Sequence, residues 1–210
     1  YYQDAEAEKL YKKIGSPELT TVKKIIEPDM LFTSFMKGGI GYFHFNGFTV
    51  KADVFKRIGY FNEELGMYED TYLMYQLSAK SSLYPGIIDS PVCMRRVHND
   101  NRIIYRLSNR RLTYETMTPF WDSFLEWGKN ELTVEHFKWL VKRYVSHLRG
   151  IDYLEDCALQ EIIHSRVQMF NVAKKSPSVF GDVYFWRRII PSSVCVRSLV
   201  TRWIQKQPLH

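Results

Sequence analysis

The sequence predicts an α/β fold for its first half (α+β within the residues present) and a mostly α-helical extension for its second. Three observations carry this reading. Residues 40–50, IGYFHFNGFTV, are aromatic and β-branched, the composition of a strand. Two further strand-like pieces, Ile87-Ile88 and Val92–Val97, stand on either side of Pro91. Beyond Asn101 the pattern becomes helical, and Phe137, Leu140, Val141, Tyr144, Val145 and Leu148 fall on one face of a helix. The expected segments are therefore residues 1–104 and residues 105–210.

Taken in order, good helix formers fill residues 4–14, with Gly15 as a stop. A short helix is expected from Asp29 to Met36, ended by Gly38-Gly39. Gly47 interrupts the aromatic run, which suggests a bulge or a close approach to a ligand. Residues 52–58 read as one or two helical turns ending at Gly59, and the next helix begins near Glu69 with Leu73 and Leu77 on one side. In the second half, Thr133 can cap a helix that Gly150 stops. Asp152 and Glu155 form a capping-box pattern for a helix running to about Lys174, and Ser176-Pro177-Ser178 breaks it. A last helix over residues 192–205 carries Val196, Leu199, Val200, Trp203 and Ile204 on one face.

With 45% apolar and 25% charged residues in 210, the chain can bury a core and lacks the signature of disorder. No run of about 18 apolar residues occurs, so no membrane-spanning segment is expected. Cys93, Cys157 and Cys195 lie far apart and form no CxxC pair, which suits a reducing compartment and argues against structural zinc. Residues 1–104 balance 13 Lys/Arg against 13 Asp/Glu, whereas residues 105–210 carry 16 against 10, so the net +6 sits in the second half. Such an excess points to an anionic partner: a membrane surface, a nucleic acid or a nucleotide sugar.

The most informative pattern is Gly59-Tyr60-Phe61-Asn62-Glu63-Glu64-Leu65, then Glu69-Asp70-Thr71-Tyr72-Leu73, then Arg95-Arg96-Val97-His98. Each piece alone is ordinary: a turn, a pair of acids at a helix start, a histidine. Their order and spacing together resemble glycosyltransferase family 2, over roughly residues 30–104. The family shows G-x-F-D/N-E-x-L, an E-D pair opening a helix, and a distal R-x-H strand end. The resemblance implies a GT-A fold and an inverting transfer of sugar from a nucleotide-sugar donor to a glycan or lipid-linked acceptor.

That chemistry requires a carboxylate to take the acceptor hydroxyl proton and positive charge on the departing diphosphate. By resemblance, Asp70 is the base and Glu69 orients the acceptor or supports Asp70. The positive end of a helix dipole favours a charged carboxylate there. His98 looks like the family's late metal ligand, on Mn²⁺ or Mg²⁺, with imidazole better suited to Mn²⁺. Arg95 or Arg96 is implied to contact the diphosphate; on a strand only one of the two faces the site. Asn46 and Gly47 sit where the family's acceptor-side loop lies, and an internal turn polar group accounts for them equally well.

The chain departs from the family in having no D-x-D motif. It begins at Tyr1 in mid-pattern, and the nucleotide-binding half is expected to precede it, leaving the isolated piece inactive. Residues 181–210 carry five Lys/Arg against one Asp, interleaved with Tyr184, Phe185, Trp186 and Trp203. This profile suits an interfacial stretch, and residues 181–207 are a candidate contact with an anionic membrane; a final helix packed on the domain fits too. No nucleic-acid motif accompanies the charge, so no nucleic-acid partner is expected. The expected location is the cytoplasm, peripheral at a membrane. The alternative to an enzyme is a helical adaptor or peripheral-membrane module with a basic C-terminal helix.

Overall fold

The computed structural model describes residues 5, 6, 8, 9, 22, 24–41, 43, 45–88, 90, 92, 109–154, 156–193 and 196. The expected strand Val92–Val97 lies almost wholly outside them, as do most of the expected helices at 4–14 and 192–205. Every regular element among the described residues is helical. This corrects the α/β, GT-A-type expectation: the described residues of 40–50 and Ile87-Ile88 form no strand. The chain divides into two compact units, residues 1–120 and residues 121–210.

In the first unit, helix α1 (Pro28–Lys37) starts with proline, which needs no backbone partner there, and ends at Gly38 with φ 82°. Its Leu31, Phe32, Phe35 and Met36 are buried. Helix α2 (Ala52–Ile58) ends at Gly59, and helix α3 (Glu69–Lys80) buries Tyr72, Leu73, Met74 and Leu77. The aromatic run fails as a strand for a physical reason. A strand needs a neighbouring strand for its ladder, and none is present among the described residues. The rings instead bury themselves around a short 3-10 turn at Phe45–Gly47. Phe43 meets Phe35 edge-on with ring centroids 5.1 Å apart and stacks on Phe48 at 5.6 Å. Phe45 and Phe48 also pack on the cluster of Val54, Leu73 and Leu77 that joins α2 to α3.

The second unit contains the end of α4 (Arg110–Glu131), α5 (Val134–Leu148), α6 (Leu159–Lys174) and α7 (Val183–Ile189). Two 3-10 turns, Arg149–Tyr153 and Pro177–Gly181, connect the last three. Thr133 caps α5 as expected, its hydroxyl accepting from the His136 N–H at 3.2 Å. The predicted α5 face is buried through Leu140, Val141, Tyr144, Val145 and Leu148. Trp121 stacks over Tyr144 at 6.2 Å, and the Tyr144 hydroxyl donates to Asp122.

The capping-box expectation at Asp152 gives way to something else. The α6 helix starts at Leu159, where the Glu161 carboxylate accepts from the Ala158 N–H at 2.6 Å. Asp152, 1% exposed, is instead a long-range ion-pair centre. Its two oxygens accept from Arg166 Nη2 at 2.5 and 2.7 Å, and Oδ2 also accepts from the Ser192 N–H at 2.9 Å. Arg149 Nε stands 3.8 Å away. Arg166 Nε donates to the Ile189 carbonyl at 2.8 Å. One buried carboxylate thus binds the turn after α5, the middle of α6 and the end of α7.

Two outcomes are expected. Removing one partner of a buried ion pair strands the other charge, at a cost of about 3–5 kcal/mol. Asp152→Ala should therefore lower stability by that amount in urea unfolding, and adding Arg166→Met should recover most of it. The second concerns His147, whose pKa is lowered to about 4, first by burial and then by the nearby Arg143. The unfolded chain then binds that proton more tightly than the folded one. The stability held by neutral His147 is complete above about pH 6.5 and is lost as pH falls towards 4, by about 3 kcal/mol in all. Unfolding midpoints at pH 7 and pH 5 should differ clearly, and His147→Phe should remove most of the difference.

Candidate functional site

The motif residues occupy the connection between α2 and α3. Gly59 takes φ 87° and ψ −173°, a conformation that side chains rarely adopt, and its N–H bonds the Phe55 carbonyl at 2.9 Å. Asn62 then organises a turn: its side-chain oxygen accepts from the Glu64 N–H at 3.1 Å and its carbonyl from the Leu65 N–H at 3.2 Å. Tyr60 stacks on Phe55 at 5.6 Å, and Phe61 tilts against Phe45 at 5.5 Å. The last contact brings the 3-10 turn holding Asn46 and Gly47 beside the motif loop.

Helix α3 opens at Glu69-Asp70, where the sequence pattern puts its start. The residue before it, Tyr68, has φ 67°, the one left-handed non-glycine residue among those described. Left-handed backbone costs a tyrosine on the order of 1–3 kcal/mol and persists when surroundings over-determine it. Here the Tyr68 carbonyl accepts the first helical bond from the Tyr72 N–H at 2.8 Å, and its ring meets Phe120 at 6.1 Å. The strained residue turns the chain sharply into α3 and leaves the next two carboxylates at the positive end of the helix.

Asp70 is exposed, and one of its oxygens accepts from the Thr71 N–H at 2.6 Å and the Thr71 hydroxyl at 3.2 Å. Those bonds engage one carboxylate oxygen of an exposed residue. Glu69 is half-buried beside it. Asn46 is exposed on its turn. A Cβ added to Gly47 would come within 3.1 Å of the Val92 side chain, so its close approach is to the chain itself. The structure thus brings the Asn46-Gly47 turn to the motif loop, which leads into Glu69-Asp70. Arg95, Arg96 and His98 lie outside the described residues. Among the described residues no three His, Cys, Asp or Glu side chains gather as a metal group. Thr71 stands inside the Glu69–Leu73 pattern, but neither its bonds to Asp70 nor the left-handed backbone of Tyr68 has a signal in the sequence.

The chain matches no protein-family model, no curated protein and no solved structure. No helix among the described residues is long and apolar enough to cross a membrane.

The local geometry makes Gly59 a sensitive position. Gly59→Ala has room for its methyl group, since nothing stands within 4 Å, but must hold a glycine backbone angle. It should cost about 1–3 kcal/mol through strain alone, read by thermal unfolding.

Proposed function

We propose that the chain is the acceptor-side part of an inverting glycosyltransferase, with Asp70 as the general base. The observation that carries this reading is the Gly59–Leu65 loop delivering Glu69-Asp70 to the first turn of α3. The order of the motif supports the reading; the α/β architecture does not, and is no part of it. An acceptor hydroxyl placed at the Asp70 carboxylate oxygen not bonded to Thr71 gives up its proton to that oxygen. The alkoxide oxygen forms the new bond to the anomeric carbon as the bond to the nucleoside diphosphate breaks, and configuration inverts. Glu69 and Asn46 offer hydrogen bonds to orient a sugar hydroxyl. Arg95 or Arg96 is the proposed contact for the departing diphosphate, and Mn²⁺ or Mg²⁺ with His98 as ligand the proposed cofactor. Among the described residues the His, Cys, Asp and Glu side chains do not gather as a metal site. The same reading places the protein in the cytoplasm.

The helical character of the described residues favours a second reading, a non-catalytic helical adaptor. One substitution separates the two. Asp70→Asn keeps shape and hydrogen bonding but removes the base. In the full-length gene product, assayed for transfer from a panel of nucleotide sugars, it should lower turnover by about 10²–10⁴-fold with little change in donor affinity. Near-normal turnover in a well-folded variant would reduce Asp70 to a helix-start charge.

A further inference from the structure

Helix α6 carries an apolar row on its outer side. Leu159, Ile163 and Val167 recur every fourth residue and point away from the buried row Ile162, Ser165 and Met169. Ile163 and Val167 are 54% and 53% exposed. Helix α7 repeats the arrangement on a smaller scale: Phe185 is buried, while Val183, Trp186 and Ile190 are exposed at 66%, 47% and 65%. The two rows belong to one face. Arg166 Nε bonds the Ile189 carbonyl at 2.8 Å, and the rings of Phe170 and Trp186 meet at 6.1 Å. The Trp186 indole N–H donates to the Phe180 carbonyl at 2.8 Å, so the half-exposed ring needs no polar partner outside the protein.

The charge around this face is one-sided. From Leu159 to Ile190 the sequence holds only two carboxylates, Glu161 and Asp182. Each is engaged internally. Glu161 bonds the Ala158 N–H. Asp182 accepts from Lys142 and from the Tyr184 N–H, bonds that also hold its pKa below the ordinary value. Lys174 and Arg187 are exposed in the same stretch, with Arg187 between Trp186 and Ile190, whereas Arg188 donates to the Tyr184 hydroxyl at 2.6 Å on the other side of α7. A shallow apolar strip with a half-exposed tryptophan, a lysine and an arginine, and with both acids of the stretch bonded within the chain, is the composition of a helix pair lying at a headgroup boundary.

We propose that the outer face of α6 and α7 docks on an anionic lipid bilayer. Leu159, Ile163, Val167, Trp186 and Ile190 enter the headgroup boundary, and Lys174 and Arg187 meet the lipid phosphates and carboxylates. This places the membrane contact on α6 as well as on the basic C-terminal stretch, and it stands independently of any catalytic role.

The test is co-sedimentation of the full chain with phosphatidylcholine vesicles, alone and with about three-tenths phosphatidylserine. The chain should pellet with the anionic vesicles and much less with the neutral ones. Arg187→Ala should weaken that partition about fivefold, the contribution of one arginine near an anionic surface. Ile163→Ser with Val167→Ser should weaken it about tenfold or more while leaving the unfolding midpoint within a few degrees of the parent. The proposal is overturned by equal pelleting with both vesicles, by unchanged binding of both variants, or by unfolding of the double serine variant, which would make the row part of a core covered by the chain's own residues. Concentration-dependent self-association without lipid, abolished by the same serines, would assign the face to a second copy and overturn it as well.

Discussion

The second unit is organised around a single buried carboxylate. Asp152 receives two bonds from one guanidinium and one from a backbone amide 40 residues away, with a second guanidinium close by. Burying that charge is costly, and the arrangement offsets the cost only because all partners arrive together. The same arginine that neutralises Asp152 also holds the end of α7 through the Ile189 carbonyl. Hydrophobic burial along α5 and α6 supplies most of the driving force, but it is non-directional. The ion pair fixes which part of α6 stands beside α7, and so whether the apolar rows of the two helices form one face.

The first unit reaches its order by a different route, aromatic packing. Phe35, Phe43, Phe48, Phe45 and Phe61 touch one after another in that order, and Phe120 meets Tyr68, Tyr72 and Tyr75. These contacts hold both turns that flank the candidate site: the one with Asn46 and the one leading to Glu69-Asp70. Backbone strain at Tyr68 is retained because the ring on one side and the first bond of α3 on the other both require it. A site on a helix start gains fixed position from this frame while its carboxylate remains in contact with solvent.

Local signals in the sequence were legible where a single residue decides the outcome. Gly38 and Gly59 end α1 and α2, Thr133 caps α5, and the helix expected to end near Lys174 does so. The helix start at Glu69 was legible for the same reason. What the sequence hid depends on partners far along the chain. The run at 40–50 has strand composition, but its rings found helices to pack on. Asp152 has the spacing of a cap, yet its partner is Arg166, and the cap function belongs to Glu161. Leu159, Ile163 and Val167 have the spacing of core residues, and only burial distinguishes them from Ile162 and Met169. Arg95, Arg96 and His98, which complete the candidate site by resemblance, fall outside the described residues, so their part in it rests on the motif.

In the proposed reaction one carboxylate, Asp70, removes a proton in a single displacement at the anomeric carbon. A single displacement fixes the stereochemistry of the product whatever the sugar. The direct measurement is proton NMR of the anomeric signal during transfer by the full-length gene product from an α-linked nucleotide sugar. The account predicts that the first product formed carries the β configuration. An initial product with the α configuration would require a second displacement or a different mechanism and would contradict it.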